Sequence, residues 1–238
     1  RTIDVTSDDE YDVVDFGSNR VRTIQKDLDG TIWAGTDQGV YIFYPPSITP
    51  QQILIKQDNT YQYLLATDVV TVIAVDGANR KWIGTESSGV YLLSPDGQNQ
   101  IKHFTVDNSP LFSNNITSLG INDLTGEVFI GTEKGLLSYQ SDAIKGEEEN
   151  CGDLVVYPNP VNVGYDGEIA VKGVISNGTV KITDVSGGLV FEGKSLGGQA
   201  VWNGKNLKGE KVSAGVYVVY SSDVTGQFHC TTKLMIHR

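Results

Sequence analysis

Short runs of alternating apolar and polar residues cover this chain, each bounded by turn-forming Asp, Asn or Gly, and the pattern predicts strands rather than helices. In the first such group Val21-Arg-Thr-Ile24 leads through Asp27-Leu-Asp-Gly30 to Ile32-Trp33-Ala-Gly35-Thr36 and then Gly39-Val-Tyr-Ile-Phe43. The succession returns as Val70-Thr-Val-Ile73, Asp76-Gly77, Lys81-Trp82-Ile-Gly84-Thr85 and Gly89-Val-Tyr-Leu92. A third copy holds Ile116-Thr-Ser-Leu119, Asp123, Gly126, Val128-Phe129-Ile-Gly131-Thr132 and Gly135-Leu-Leu-Ser-Tyr139. Gly35, Gly84 and Gly131 are 49 and 47 residues apart.

Each copy reads as one supersecondary unit of three strands, and a fourth, more polar strand is expected at residues 52–56 and again at 101–105. Four strands in under ~50 residues is the size of a propeller blade. The repeated aromatics Trp33, Trp82 and Phe129 are expected between neighbouring sheets, because one blade cannot bury both of its faces alone. A ring needs about four to eight blades. Three copies, with strand-like runs at 2–5 and 11–16, leave open faces, so further blades are expected before Arg1. The repeat residues Trp33, Gly35, Thr36, Trp82, Gly84, Thr85, Phe129, Gly131 and Thr132 resemble the two-component-regulator propeller repeat. Copy two has Asn79 where copy one has Gly30, and asparagine suits the same turn.

The texture changes near residue 150. Lys145-Gly-Glu-Glu-Glu-Asn150 lacks apolar periodicity and reads as a solvated linker. Beyond it, strands are expected at 154–157, 168–172, 179–184, 189–192, 200–202, 215–221 and 227–236, with turns at Asn177-Gly178, Ser186-Gly-Gly188, Asn203-Gly204 and Lys208-Gly209. That spacing suits a small antiparallel β-sandwich. The reading is therefore all-β, with propeller blades over 1–145, a linker over 146–150 and an immunoglobulin-like sandwich over 151–238.

Within the sandwich, Tyr157-Pro158-Asn159-Pro160, Val180-Lys-Ile-Thr-Asp184-Val-Ser-Gly187, Trp202-Asn-Gly204, Gly209, Gly215-Val-Tyr217 and Lys233-Leu-Met-Ile236 occur in order. The set resembles the C-terminal sorting domain of type IX secretion, with Asn203 where Asp is commoner. Propeller repeats ahead of such a sandwich resemble the PorZ-like family. That resemblance implies an exported, non-enzymatic scaffold at the outer-membrane surface or outside the cell. It also implies a sandwich that is retained, partners among surface secretion and attachment proteins, and lipopolysaccharide or another glycan as ligand. Two other readings stay open: a periplasmic sensor propeller of a hybrid two-component regulator, and secreted cargo (a glycan binder or lyase) using the sandwich as an export tag.

Charge narrows the partners. The chain carries 18 basic and 29 acidic residues, net -11, which disfavours nucleic acid. Residues 1–145 hold 10 Lys/Arg against 19 Asp/Glu, whereas residues 151–238 hold 8 against 7. An anionic ligand should therefore meet the sandwich or a local basic patch. No run approaches the ~20 apolar residues of a membrane helix.

Candidate chemistry is sparse. His103, His229 and His237 have no metal-ligand spacing, Asp27-Leu-Asp-Gly30 lacks the later ligands of a calcium loop, and neither a G-x-S-x-G elbow nor a phosphate loop occurs. Neither metal nor cofactor is expected. Cys151 and Cys230 flank the sandwich, and export exposes them to oxidising conditions. A bridge between them is one reading, contributing ~3–4 kcal/mol in the chain-entropy model; two free thiols are the other.

Overall fold

The computed structural model describes residues 16, 19–47, 49–57, 60–146 and 153–237. Every regular element among them is a strand, so no helix there is long and apolar enough to cross a membrane. Blade one is the antiparallel sheet β1 (Val21–Lys26), β2 (Ile32–Thr36), β3 (Gly39–Phe43) and β4 (Gln51–Gln52). A separate hairpin, β5 (Leu54–Gln57) and β6 (Thr60–Tyr63), follows it. Blade two is β7 (Val70–Val75), β8 (Lys81–Thr85), β9 (Val90–Leu93) and β10 (Gln100–Phe104). Blade three has β11 (Ile116–Ile121), β12 (Glu127–Thr132) and β13 (Gly135–Gln140).

The outer strand expected at 52–56 is split. β4 ends at Gln52, Ile53 turns into the interior at 4% exposure, and the chain then leaves to build the β5–β6 hairpin. The Ile53 carbonyl accepts the Leu64 N–H at 2.8 Å, so at this residue the backbone already pairs with the hairpin and not with β3. The strand-like runs at 2–5 and 11–15 lie outside the described residues. Phe16 is described, and its ring meets Tyr41 and Phe43 edge-on at centroid distances of 5.3 and 5.6 Å.

Blades stack through apolar faces. Trp33, Val40 and Ile42 of blade one pack against Val70, Ile73, Ile83 and Leu93 of blade two. Trp82, Val90 and Leu92 do the same against Ile116, Val128 and Ile130 of blade three. Each tryptophan thus faces the blade that follows it. Phe129, at the same place in blade three, is 38% exposed. The inner strands share one irregularity, a register shift between Val21 and Thr23, Val70 and Val72, and Ile116 and Ser118. A bulge at this point increases the local twist and lets neighbouring blades splay around a common axis.

The glycine before each repeat threonine makes the close approach possible. A Cβ on Gly35 would sit 2.5 Å from Val70 Cγ1, and one on Gly84 would sit 2.6 Å from Ile116 Cγ2. The inner strand of each following blade therefore rests on bare backbone of the blade before it.

The remaining strands build the sandwich. β14 (Val155–Tyr157), β15 (Ile169–Lys172) and β18 (Gln199–Trp202) form one sheet. β17 (Leu189–Lys194), β16 (Thr179–Asp184), β19 (Gly215–Ser222) and β20 (His229–Ile236) form the other, in that order. Their inward residues make one core around Trp202, Ile182, Val219 and Leu234. Trp202 lies against Phe191 and Tyr217 at 6.0 and 6.3 Å.

These contacts separate two chemically identical substitutions. Gly84→Ala forces its methyl into Ile116 and should cost about 1–3 kcal/mol. Gly131→Ala meets the rotatable Ser118 hydroxyl of its own blade most closely, at 2.2 Å, with Thr117 Oγ1 and Ser118 Cβ at 3.4 and 3.5 Å, and should lie within about 1 kcal/mol of neutral. Urea unfolding of both variants measures the difference, and equal losses would remove the close-approach explanation.

Candidate functional site

The same hydrogen-bonded loop joins the first and second strands of every blade. The backbone N–H groups of Asp27, Asp76 and Asn122 donate to the carbonyls of Thr31, Arg80 and Glu127 at 2.9, 3.1 and 2.8 Å. A residue with positive φ sits within each loop: Gly30 at 89°, Asn79 at 58° and Gly126 at 74°. The Asp27 carboxylate accepts the N–H groups of Asp29 and Thr31 at 3.0 and 2.9 Å and the Trp33 indole at 3.0 Å. Asp76 accepts those of Ala78 and Arg80, both at 3.0 Å, and the Trp82 indole at 3.1 Å. The six-residue interval from Asp to Trp thus places an acceptor opposite a buried donor that would otherwise lack a partner.

Copy three departs from the motif alignment. Its loop residue is Asn122, not Asp123, because this turn is one residue longer. Asn122 Oδ1 accepts the Leu124 N–H at 3.0 Å, and Phe129 has no ring N–H to offer. The Asp123 carbonyl instead accepts the Lys145 N–H at 2.8 Å.

Two buried cations were not singled out in the sequence. Lys81 occupies the strand position held by Ile32 in copy one and Val128 in copy three, so a charge at an apolar repeat position is the signal that could have found it. Its ammonium donates to the Asn79 and Pro95 carbonyls at 2.7 and 2.8 Å, pairs with Asp27 at 2.9 Å, and lies 4.8 Å from the Trp33 ring centroid. Burial pulls its pKa below the ordinary lysine value, against the opposing pull of Asp27. Arg80 pairs with Asp76 at 2.8 Å and Asp142 at 2.9 Å, and donates to Ser141 Oγ at 3.0 Å. Burial pulls Arg80 down too, but Asp76 and Asp142 outweigh it and raise its pKa. Asn79 completes the link between blades: it accepts the Leu28 N–H at 3.0 Å and donates to Asp29 at 2.6 Å.

Arg80 leads to the junction with the sandwich. Ala143 and Ile144 are buried, and Ile144 forms a parallel bridge with Gly197. Gly198 N–H donates to the Ile144 carbonyl at 2.7 Å, and the Gln199 amide donates to the Asp142 carbonyl. A Cβ on Gly77 would lie 2.1 Å from the Ile144 oxygen, and one on Gly197 would lie 1.9 Å from the same atom. Blade two, the connecting segment and the sandwich therefore meet backbone to backbone. Of the segment read as a solvated linker, Lys145 and Gly146 belong to this contact, and 147–150 lie outside the described residues.

The repeat and sorting motifs close turns and strand ends. Thr36, Thr85 and Thr132 donate their hydroxyls to the carbonyls of Gly39, Gly89 and Gly135 at 3.0, 2.9 and 2.9 Å. Asn159, between Pro158 and Pro160, donates to the Lys233 carbonyl at 2.8 Å and accepts the Met235 N–H at 3.0 Å. A side-chain amide there replaces the ladder bonds that proline cannot supply, and Val161 then bridges to Ile236. The Trp202 indole donates to the Lys205 carbonyl and the Tyr217 hydroxyl to the Ser213 carbonyl, both at 2.8 Å. Gly204 takes φ 70° in its turn, and Gly215 begins β19. Asp184 accepts the Ser186 and Gly188 N–H groups at 2.8 and 2.9 Å, and bonds with the Ser186 hydroxyl and these amides hold its pKa below the usual carboxylate range.

His103 lies on β10, whereas His229 and His237 stand at opposite ends of β20, one at its start and one just beyond its end. Among the described residues no three His, Cys, Asp or Glu side chains group to hold a metal ion. Cys230 on β20 is disulfide-bonded; Cys151 lies outside the described residues. Among the described residues, two of the cavities are open to solvent. One, of about 600 Å³, lies at a sandwich end and is lined by Asn162, Tyr165, Asn203, Lys205, Lys211 and His237 among others. The other, of about 360 Å³, lies between the β5–β6 hairpin and blade two.

Residues 155–237 match the model of the secretion system C-terminal sorting domain. Among solved structures the chain is similar to PorZ, described as an essential bacterial surface component of the type-IX secretion system of Porphyromonas gingivalis. Identity is 33% over 92% of this chain, with a TM-score of 0.62. The chain spans 30% of the length of that PorZ chain. It is also similar to the extracellular domain of the hybrid two-component system BT3049 of B. thetaiotaomicron, at 14% identity over 98% of this chain and 46% of that one, with a TM-score of 0.47. No curated protein matches.

The junction geometry has a measurable consequence. Gly197→Ala combines a φ of 63° with a blocked Cβ position and should lower stability by about 2–4 kcal/mol. Gly209→Ala, at φ 82° in open space, should lose only about 1 kcal/mol. Proteolysis within residues 141–152 should quicken in the first variant alone, and unchanged protection would mean that the docking does not depend on this glycine.

Proposed function

We propose that this chain is part of a non-enzymatic surface scaffold of type IX secretion, in which the sandwich is retained and works as one body with the propeller. The observation that carries this reading is the junction. A removable export tag needs no backbone-level fit to its cargo, whereas here Gly77, Ile144, Gly197 and Gly198 interlock and Gln199 reaches the connecting segment. The sorting-domain match supports export, and the similarity to PorZ supports a place at the cell surface among the proteins of that machinery.

The ligand that fits this reading is lipopolysaccharide, held through its anionic groups at the sandwich-end cavity. The acidic propeller repels such a ligand at long range, while the sandwich is nearly neutral and its cavity presents Lys205 and Lys211, the latter paired with Asp166. Asn162, Asn203 and Tyr165 add hydrogen-bonding groups and a ring face beside them.

Mass spectrometry of protein shaved from its native cell surface tests retention. Peptides from residues 212–238 should be as abundant as propeller peptides; their absence would make the chain exported cargo. Binding to lipopolysaccharide vesicles tests the ligand. The double substitution Lys205→Glu and Lys211→Glu should weaken it at least tenfold and flatten its salt dependence. Equal binding by the variant would move the ligand off this cavity.

A further inference from the structure

The cavity on the rim of the propeller has a different chemistry from the one on the sandwich. It exists because the chain leaves blade one after Gln52 and folds the β5–β6 hairpin over the outer strands of blade two. Its inner wall is a stacked pair: the Tyr91 and His103 rings lie 3.9 Å apart and 9° from parallel.

A polar network fixes that pair. The Ser88 hydroxyl donates to Asp68 Oδ1, and the Ser88 carbonyl lies 2.7 Å from His103 Nε2. Burial, reinforced by Asp68, raises the Tyr91 pKa. Stacking and these Ser88 contacts set the wall in place before any ligand arrives, which lowers the ordering cost of binding. At the mouth stand Tyr63, 49% exposed on β6, and the exposed side chains of Gln98 and Gln100.

The donor set selects a ligand class. Ring faces attract the C–H surfaces of a flat, weakly polar ring. Amides both donate to and accept from hydroxyl groups, and a carboxylate accepts from them, in fixed directions. A purely apolar ligand would cover Gln98 and Gln100 without replacing their bonds to water, at a desolvation cost. An anion would meet Asp68 with no compensating cation, since none of the described residues lining the cavity is Lys or Arg. The volume of about 360 Å³ sits at the small end of small-molecule sites.

We propose that this inter-blade cleft binds a neutral saccharide, with a sugar ring against Tyr63 and its hydroxyls hydrogen-bonded to Gln98, Gln100 and Asp68. The site belongs to the propeller and its charge logic opposes that of the sandwich cavity. It stands whether or not lipopolysaccharide binds at Lys205 and Lys211.

Calorimetry and saturation-transfer NMR on the chain would test it. Maltotriose, cellotriose and mannotriose serve as neutral probes, and trigalacturonate as an anionic control of the same size. At least one neutral trisaccharide should saturate the protein, with trigalacturonate binding more weakly. Tyr63→Ala should lower that affinity roughly tenfold, Gln100→Ala should lower it severalfold, and Tyr63→Phe should retain it. These residues are exposed, so all three variants should unfold at the temperature of the parent protein. Failure of every neutral probe, equal binding by Tyr63→Ala and Gln100→Ala, or a preference for trigalacturonate would each overturn the proposal.

Discussion

A carboxylate buried at the tip of a blade has to be fully hydrogen-bonded, and much of the propeller is arranged around that demand. Asp27 and Asp76 lie where two sheets meet, so water cannot satisfy them. Each takes two turn N–H groups, an indole N–H and a cation instead. The turn is thereby locked to the second strand, and the tryptophan is oriented across the face on which the next blade packs. Copy three shows the converse. Carboxylate and indole are replaced together, by Asn122 and Phe129, so that neither is left without its counterpart.

The cations extend this local clasp across the molecule. Lys81 belongs to blade two but neutralises Asp27 of blade one, and Arg80 belongs to blade two but reaches Ser141 and Asp142 beyond blade three. Removing one member of such a buried pair leaves an uncompensated charge, whereas the complete set contributes specificity of arrangement. Asp142 then offers its carbonyl to Gln199 of the sandwich. One continuous series of hydrogen bonds runs from the first blade to the second domain.

That continuity bears on function. The segment between the domains is held on both sides, by the Asp123 carbonyl on the propeller and by Gly197 and Gly198 on the sandwich. Two cavities of opposite character are thus carried together: a lysine-bearing one on a nearly neutral domain and an aromatic, amide-lined one on an acidic domain. Fixed geometry of this kind sets the orientation of each cavity before binding, which lowers its ordering cost.

The all-β class, the blade repeat and the positions of the sandwich strands along the chain were legible in the sequence, because each depends on local pattern. Alternation gives strands, Asp-x-x-Gly gives the turn, and glycine spacing gives the repeat. The residues that join these units were not legible. The outer strand ends at Gln52 because the Ile53 carbonyl pairs with Leu64 of the hairpin, and Asn122 replaces Asp123 because one turn is a residue longer. Lys145 and Gly146 look like linker until the Asp123 carbonyl and Gly198 are seen beside them. Gly77 reads as one more turn glycine of the repeat, and only the approach of Ile144 gives it and Gly197 their role. The Tyr63, Tyr91 and His103 cleft draws on three strands in two sheets. Local pattern determined which elements form; which of their side chains meet was decided only by stacking the blades and docking the sandwich, since those contacts join residues far apart in the chain.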